Sequence, residues 1–346
     1  MYEDYRLPIY VTWLPLVLIS VAVIFNTVTT VVLLVNRVAK NINCFTYLAV
    51  IAIFDTMCLF TWNLNQFLTP NFGIQIENYN IYTCRIFLYM QFTSVQISSL
   101  LRSLLCIERY YFVMKFSNLI KFGKYLFGTK KSVKFWIISV IIFSAFINIH
   151  LLFNTGSFEV VSDKQEENLS SSELKFNCYD NNNALSLKLL WNRFNLITAL
   201  VIPSSIMIIF DWLLFYRTYL AKKKTRSHSS LINFQKSKSF TASLIYISIA
   251  YLVLHTPANL YFSFINHDVQ HDNEIISFVI VELHFLPHSI LFFELYLTNK
   301  KFYNILQHYY DKRESNVNET RSPVINLSHC RIYIGRDIKL ANNSRL

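Results

Sequence analysis

Residues 82–113, YTCRIFLYMQFTSVQISSLLRSLLCIERYYFV, decide how the rest of the sequence is interpreted. The segment begins near Cys84 and ends near the triplet Glu108-Arg109-Tyr110, with mostly apolar residues between them. Cys84 and Arg109 are 25 residues apart, and a helix of about that length is roughly 37 Å long, enough to cross a tilted bilayer. A disulfide-capable cysteine at one end and an acid-arginine-tyrosine triplet at the other predict a spanning helix with an outer and an inner end.

The composition agrees with a chain that lies mostly in lipid. It has 346 residues, of which 53% are hydrophobic and only 15% are charged, whereas soluble domains carry about 25% charge. The mean hydropathy is +0.33. The six cysteines contain no CxxC pair, so zinc-ribbon and thiol-redox sites are disfavoured. The chain also lacks HExxH, a nucleophile elbow and a glycine-rich phosphate loop, so we expect a protein that is not an enzyme.

Seven apolar segments are long enough to cross a membrane. Because they lack the period-two alternation of barrel strands, they predict helices. The fold class that follows is an all-α membrane protein, a seven-transmembrane helix bundle with a short amphipathic eighth helix. The predicted spans are 9–36, 44–68, 83–114, 134–154, 188–219, 239–266 and 274–298.

The charges of the loops predict the orientation. The loops after the first, third and fifth spans carry lysine and arginine but no acid, for example at Arg37, Lys121 and Lys222. The loops on the other side are acidic. By the positive-inside bias, the N-terminus is outside and the C-terminus inside, which requires an odd number of spans. The expected location is the plasma membrane, and inner-leaflet lipids explain the net charge of +11 without nucleic-acid binding.

Four regions follow from this topology: a short extracellular N-terminus (1–8), the spanning domain (9–298), an amphipathic juxtamembrane helix (299–313) and a disordered cytoplasmic tail (314–346). The juxtamembrane helix is predicted because apolar residues recur with helical spacing between flanking lysines. Asn168 begins a glycosylation sequon, Asn-Leu-Ser, in the second outer loop. The apolar residues of the helix are Phe302, Ile305, Leu306 and Tyr309.

Individual residues along these spans match the order and spacing of the characteristic residues of a known family. In combination, they resemble the rhodopsin-like (class A) G protein-coupled receptors, over about residues 9–310. The pattern at residues 287–293 of the seventh span is similar to that of invertebrate receptors for FMRFamide-like and related neuropeptides. The matching residues are Asn26, Asp55, Cys84, Glu108-Arg109-Tyr110, Trp136, Cys178, Pro203, His255-Thr256-Pro257 and Pro287-His288-Ser289-Ile290-Leu291-Phe292-Phe293.

The resemblance implies roles for several of these residues. It implies that Glu108, Arg109 and Tyr110 take part in activation and coupling to a heterotrimeric G protein, and that Cys84 and Cys178 form a disulfide. It also implies helix kinks at two prolines and a polar site that binds sodium or a proton. The prolines are Pro203 and Pro257, and the polar site is Asp55 with Ser98.

The sequence departs from the family pattern at the base of the spans. His255 replaces the tryptophan of the sixth span. In the seventh, Leu291, Phe292 and Leu295 replace the asparagine, proline and tyrosine of NPxxY. Asp211 replaces a tyrosine of the fifth span. Ser237 replaces an acid at the base of the sixth span, so an ionic lock to Arg109 is not expected.

Two ligand classes are disfavoured because the residues that they require are absent from the sequence. The aspartate that would pair with an amine is Gln91, and the seventh span has no lysine for a retinal Schiff base. The acidic second outer loop favours a basic or amidated peptide. The expected pocket residues are Gln91, His255, Asn259 and Phe262. The acids of this loop are Glu159, Asp163, Glu166, Glu167, Glu173 and Asp180.

Two other functions stay open. A chemosensory serpentine receptor for small odorants would keep seven spans and would not need an acidic outer loop. A membrane transporter is less favoured, because internal repeats, broken helices and several charges inside the membrane would be expected of it. We see no internal repeat.

Overall fold

The computed structural model describes residues 9–36, 39, 42–114, 129–161, 173–178, 191, 193–224, 228–264 and 274–320. These residues are almost entirely helical, which confirms the helical fold class. The chain divides into two compact units, Met1–Leu306 and Gln307–Leu346. The main helices are α1 (Leu14–Val35), α2 (Asn43–Phe72), α3 (Ile81–Met114), α4 (Lys130–Asn148), α5 (Ile202–Lys224), α6 (His228–Phe264), α7 (Glu274–Ser289), α8 (Leu291–Thr298) and α9 (Lys300–Thr320).

Five helices of the described residues are long and apolar enough to span a membrane. They include α1, α2 and the segments Lys130–Asn154, Arg193–Arg217 and Ala242–Tyr261. A sixth span results if α7 and α8, which meet at a bend of 52°, are one broken span. Several helices could therefore span a membrane, which is consistent with the multi-pass prediction, while the count of seven stays a prediction.

The predicted third span, α3, is long but too polar to count as a span by composition. It has 34 residues and contains Arg85, Arg102, Glu108 and Arg109. Its polar residues point into the bundle, where α3 packs against α2, α4, α5 and α6. Serines and glutamines that are buried between helices in this way do not meet lipid. Ser94, Gln96, Ser98 and Ser99 are all at most 1% exposed.

The prolines alter the helices in different ways. Pro203 is the second residue of α5 and follows a π-helical turn, Leu196–Val201. Such turns widen a helix locally. Pro257 lies inside α6, which continues through it to Phe264. The large bend of 52° is at Ile290, between α7 and α8, three residues after Pro287.

A two-stranded hairpin follows the fourth predicted span and was not predicted. Strand β1 (Ser157–Val161) pairs antiparallel with β2 (Glu173–Asn177), with Ser157 opposite Asn177. The chain enters β1 through Gly156, whose φ of 82° is accessible mainly to glycine. A Cβ at Gly156 would lie 2.9 Å from Cζ of Phe176, so the two strands approach each other closely here.

Helix α9 begins where the amphipathic helix was predicted. Phe302, Ile305 and Leu306 are buried, as expected for its apolar side. The helix continues to Thr320, so residues 314–320, which we had assigned to a disordered tail, are helical. The polar composition of residues 314–346 had suggested disorder, but the backbone stays helical over the first seven of them. Residues 321–346 and the sequon at Asn168 lie outside the described residues.

Candidate functional site

The first polar feature is the disulfide at the start of α3. Cys84 and Cys178 are bonded, at a sequence separation of 94, which confirms the predicted pairing. The bond is buried against Leu88, Phe92 and Phe176. It fixes the end of β2 to the first turn of α3, so the hairpin cannot move independently of that helix.

Two further hydrogen bonds fasten the same region. The side-chain oxygen of Asn78 accepts from the backbone N–H of Cys178 at 3.1 Å. Nε of Arg85 donates to the carbonyl of Thr155, also at 3.1 Å. The hairpin is thus held on both sides, by the disulfide after β2 and by Arg85 before β1.

The second feature is a buried polar network centred on Asp55. Its Oδ1 accepts from the hydroxyl of Ser98 at 2.5 Å and from Nδ1 of His288 at 2.6 Å. Its Oδ2 accepts from a guanidinium nitrogen of Arg102 at 2.6 Å. All four side chains are at most 3% exposed. The network therefore joins α2, α3 and α7 through a fully desolvated carboxylate.

Sequence analysis did not single out Arg102, which is the ion-pair partner of Asp55. We had expected a sodium ion or a proton to neutralise Asp55, but the ion pair with Arg102 supplies the positive charge from within the chain. The guanidinium also lies 4.5 Å from the ring centroid of Tyr251, a cation–π contact with α6. An arginine at mid-span is costly unless it is paired, and that cost was the signal available in the sequence.

Asn26 extends the network to α1. Its side-chain amide donates to the hydroxyl of Thr56 at 3.2 Å and to the carbonyl of His288 at 3.0 Å. His288 lies in the last turn of α7, which ends at Ser289, and the carbonyls of a last helical turn have no partner within the helix. Asn26 therefore ties α1 and α2 to α7 just before the bend.

Two of the residues predicted for a ligand pocket, His255 and Asn259, lie next to each other. His255 is fully buried, and its ring stacks on His284 with centroids 3.9 Å apart. Asn259 donates to the carbonyl of His255 at 2.8 Å, and its amide lies 3.4 Å from Nδ1 of His284. The side chain of Phe262 lies outside the described residues. His284, which we had not singled out, takes a central place in this cluster.

Gln91 is separate from the histidines. It is buried on α3, where its carbonyl accepts from the hydroxyl of Ser94 at 3.0 Å. Among the described residues, no hydrogen bond or ring contact joins it to His255 or Asn259. The structure therefore supports two of the four predicted pocket residues as neighbours.

A second set of buried amides joins α3 to α4 and to the π turn. Gln96 donates to Asn195 at 3.0 Å and to Thr198 at 3.2 Å, and it accepts from Asn148 at 2.8 Å. Sequence analysis did not identify this set. A glutamine and an asparagine in the middle of predicted spans could have indicated these contacts, because polar side chains there need partners on other helices.

The Glu108-Arg109-Tyr110 triplet is at the opposite end of α3 from the disulfide. Glu108 and Arg109 are each 3% exposed, and the Arg109 guanidinium contacts the sulfur of Cys44 on α2. Tyr110 packs edge-on against Phe210 of α5, with centroids 5.5 Å apart. The triplet is therefore folded into the bundle.

Arg109 also lines a cleft between α3, α5 and α6. Asp211 faces this cleft and interacts through its carboxylate with Cys106 and Ser248, whose side chains are 3.3 Å apart. In the sequence, Asp211 was only a departure from the family pattern. In the structure, it is a polar link across three helices. The cleft is lined by Leu48, Arg102, Leu105, Cys106, Arg109, Asp211, Leu214, Leu244, Ile247 and Ser248.

Two more carboxylates are buried in the last spans. Glu282 on α7 accepts from the amide of Asn63 on α2 at 3.2 Å. Glu294 on α8 is 5% exposed and interacts electrostatically with Asp55 and Arg102. Asp55, Glu282 and Glu294 are thus buried carboxylates on α2, α7 and α8. Carboxylates at such depth are a functional hypothesis by default.

Along α3 the polar features form three layers. The disulfide and hairpin lie at one end, the Asp55 network in the middle, and Arg109 with its cleft at the other end. Side chains of α6 and α7 reach the middle layer from the histidine cluster. No protein-family model matches this sequence, and no curated protein matches it significantly.

Proposed function

We propose that the protein is a seven-helix membrane receptor of the rhodopsin-like type, which transmits the binding of an extracellular ligand to a heterotrimeric G protein. The observation that carries the proposal is the disulfide between Cys84 and Cys178. The family resemblance required that pairing across 94 residues, and the hairpin that it anchors would cover the outer mouth of the bundle. In this proposal, α3 is the third span, and α7 with α8 is the seventh.

A route for the signal is suggested by contacts between the layers. His255 stacks on Tyr251 with centroids 4.6 Å apart, and Arg102 lies over that same ring. Arg102 is paired with Asp55, and both Arg102 and Arg109 line the inner cleft. A ligand that displaces His255 would therefore disturb the ring that supports Arg102. The ion pair would have to adjust, because a buried charge without a partner is costly.

The proposed ligand is a basic or amidated peptide. The support for it is the excess of acids in the second outer loop, which would attract cations at long range. Their effect is screened over about 8 Å at physiological salt, so it acts mainly on the association rate. Neutralising Glu166, Glu167 and Glu173 together should slow association and flatten its salt dependence, with little change in dissociation.

Coupling can be tested in cells that express the full chain with G protein dissociation sensors and are screened against a library of amidated peptides. For a peptide that activates the wild type, Arg109→Ala should leave binding measurable and reduce the G protein response by tenfold or more, on the order of 1.4 kcal/mol. Lys300→Ala is the matched control, since it removes an exposed cation at the start of α9. It should signal like the wild type.

Two results would contradict the receptor proposal as stated. A full response from Arg109→Ala would mean that this residue is not part of coupling. If amidated peptides are inactive and neutral volatile compounds activate the chain without any dependence on the three loop acids, the ligand class is wrong. The chemosensory alternative then replaces it.

A transporter is a second candidate, because two observations favour it. Glu282 and Glu294 are carboxylates buried within the described bundle, and the α7–α8 span is broken at a bend of 52°. Broken helices and buried acids are common at the substrate sites of secondary transporters. Proteoliposomes with the purified chain distinguish the two functions. Substrate uptake that is driven by a proton gradient and abolished by Glu294→Gln would favour the transporter. Uptake equal to that of empty liposomes would favour the receptor.

A further inference from the structure

Three histidines from two helices meet beside the Asp55 network. One ring nitrogen from each of His255, His284 and His288 lies within 4.8 Å of the others. His255 and His288 are fully buried, and His284 is half-buried. We propose that these three side chains form a binding site for a divalent transition-metal ion, Zn²⁺, between α6 and α7. The site is independent of the proposed receptor function.

The nitrogens of this cluster are poorly satisfied by the protein. Among the described residues, neither ring nitrogen of His255 has a hydrogen-bond partner, and neither does Nε2 of His288. Nδ1 of His284 has a long contact, 3.4 Å from the Asn259 amide, and the side chain also interacts with the backbone of His255. Buried polar atoms are nearly always paired, because leaving one unpaired costs free energy. A metal ion would give one nitrogen of each ring the partner that the chain does not provide.

The carboxylate behind His288 supports metal binding. Asp55 accepts a hydrogen bond from Nδ1 of His288 at 2.6 Å, so Nδ1 carries the hydrogen and Nε2 is available as a ligand. Metal-binding histidines commonly have a carboxylate in this position, where it orients the ring and raises its basicity. Asp55 also balances the nearby charge of Arg102, and Glu294 adds a second carboxylate to the local field. A divalent ion would therefore not meet an uncompensated positive charge.

The spacing of the ligands fits one ion. His284 and His288 are four residues apart on α7, so they share one face of that helix, and His255 approaches from α6. Tetrahedral Zn²⁺ with Zn–N bonds of about 2.0–2.1 Å places its nitrogens about 3.3 Å apart. The nitrogens lie within 4.8 Å of one another, so coordination requires them to approach by up to about 1.5 Å, and we propose that the stacked rings of His255 and His284 rotate to allow it. A set of three imidazoles suits Zn²⁺, and the partial exposure of His284 gives an ion access.

The mechanical consequence is a link between α6 and α7. Without the ion, the described contacts between these histidines are stacked, edge-on and tilted ring contacts at 3.9–6.1 Å between centroids. Coordination would replace them with bonds from both helices to one atom. The bound ion would hold the two helices in one relative position, because binding only to that arrangement stabilises it.

The test is calorimetric titration of Zn²⁺ into the full chain in lipid nanodiscs after treatment with a chelator. We expect one saturable site in the wild type. His255→Gln and His284→Gln should each weaken Zn²⁺ binding at least tenfold, which is about the smallest loss seen when a metal site loses one supporting group. His308→Gln is the matched control, since it removes an exposed histidine on α9, and it should bind Zn²⁺ like the wild type.

Two further measurements cover the case in which a variant fails to fold. At a hundredfold excess over Kd, Zn²⁺ should raise the melting temperature of the wild type by about 5 °C. Co²⁺ in the same protein should give the intense visible bands of a tetrahedral site with nitrogen ligands. A wild type with no saturable Zn²⁺ site, or cluster variants that retain full affinity, would overturn the proposal. Neither measurement uses a ligand or a G protein, so failure here is distinct from failure of the receptor proposal.

Discussion

Replacing Arg102 with methionine tests whether the chain carries its own counter-ion for Asp55. The substitution removes the guanidinium that lies 2.6 Å from Oδ2 of Asp55 and leaves a carboxylate that is 0% exposed. Breaking a buried pair by removing one partner typically costs about 3–5 kcal/mol. The cation–π contact with Tyr251 adds about 2 kcal/mol to the loss, because both groups are buried.

Two hydrogen bonds remain in the variant and reduce the cost. Ser98 and His288 still donate to Oδ1 of Asp55, so we expect a net loss near the lower limit of this sum, about 5 kcal/mol. For a chain of this length, that lowers the melting temperature by about 10 °C. The double variant Asp55→Asn with Arg102→Met should recover most of the loss, because no buried charge is then left unpaired. Arg193→Met, at an exposed arginine, is the matched control.

The assay is thermal unfolding of the full chain in nanodiscs, in sodium chloride and in choline chloride at equal ionic strength. Wild-type protein should melt at the same temperature in both salts, since Arg102 already neutralises Asp55. The Arg102→Met variant should be more stable in sodium chloride, because sodium can then bind beside the free carboxylate oxygen. A sodium-specific rise in the wild type, or a double variant no more stable than the single one, would refute the reasoning.

Two other substitutions test how the hairpin is held. Cys84→Ala should destabilise the chain by about 2–5 kcal/mol, because it opens a loop of 94 residues. Surface expression should fall equally for Cys178→Ala and for the double variant, and additive losses would argue against one shared bond. Gly156→Ala should cost about 1–3 kcal/mol, since its φ of 82° is strained for alanine and Phe176 leaves little space for a Cβ. Gly73→Ala, with a φ of 67° in open space, should cost less in the same melting assay, and an equal cost would remove the steric argument.

The helices and two long-range contacts were predictable, because each has a local signal in the sequence. Apolar segments of spanning length predicted most of the helices. The resemblance predicted that Asp55 would meet Ser98 and that Cys84 would meet Cys178, and both contacts are present. These predictions depend on residue type and order along the chain. They do not depend on the rotation of each helix about its own axis.

Contacts that depend on helix rotation were missed. Ser98 and Arg102 are four residues apart on α3 and therefore share a face, but hydropathy alone does not say what that face meets. Only the packing of α2 against α3 shows that Asp55 is there. The hairpin was missed for a different reason. Its five-residue strands lie in a segment that we considered only for its acidic charge. The alternation of apolar Leu174 and Phe176 in β2 was therefore not taken as evidence for a strand.

His255 and Arg102 are connected in space through one aromatic ring. His255 stacks on Tyr251 and on His284. Tyr251 in turn lies beneath Arg102, whose guanidinium is paired with Asp55. These contacts join α3, α6 and α7, so a substitution at His255 should change the energy of the interactions made by Arg102. Double-variant cycles between His255 and Arg102 should therefore be non-additive, even though the two side chains contact each other only through Tyr251.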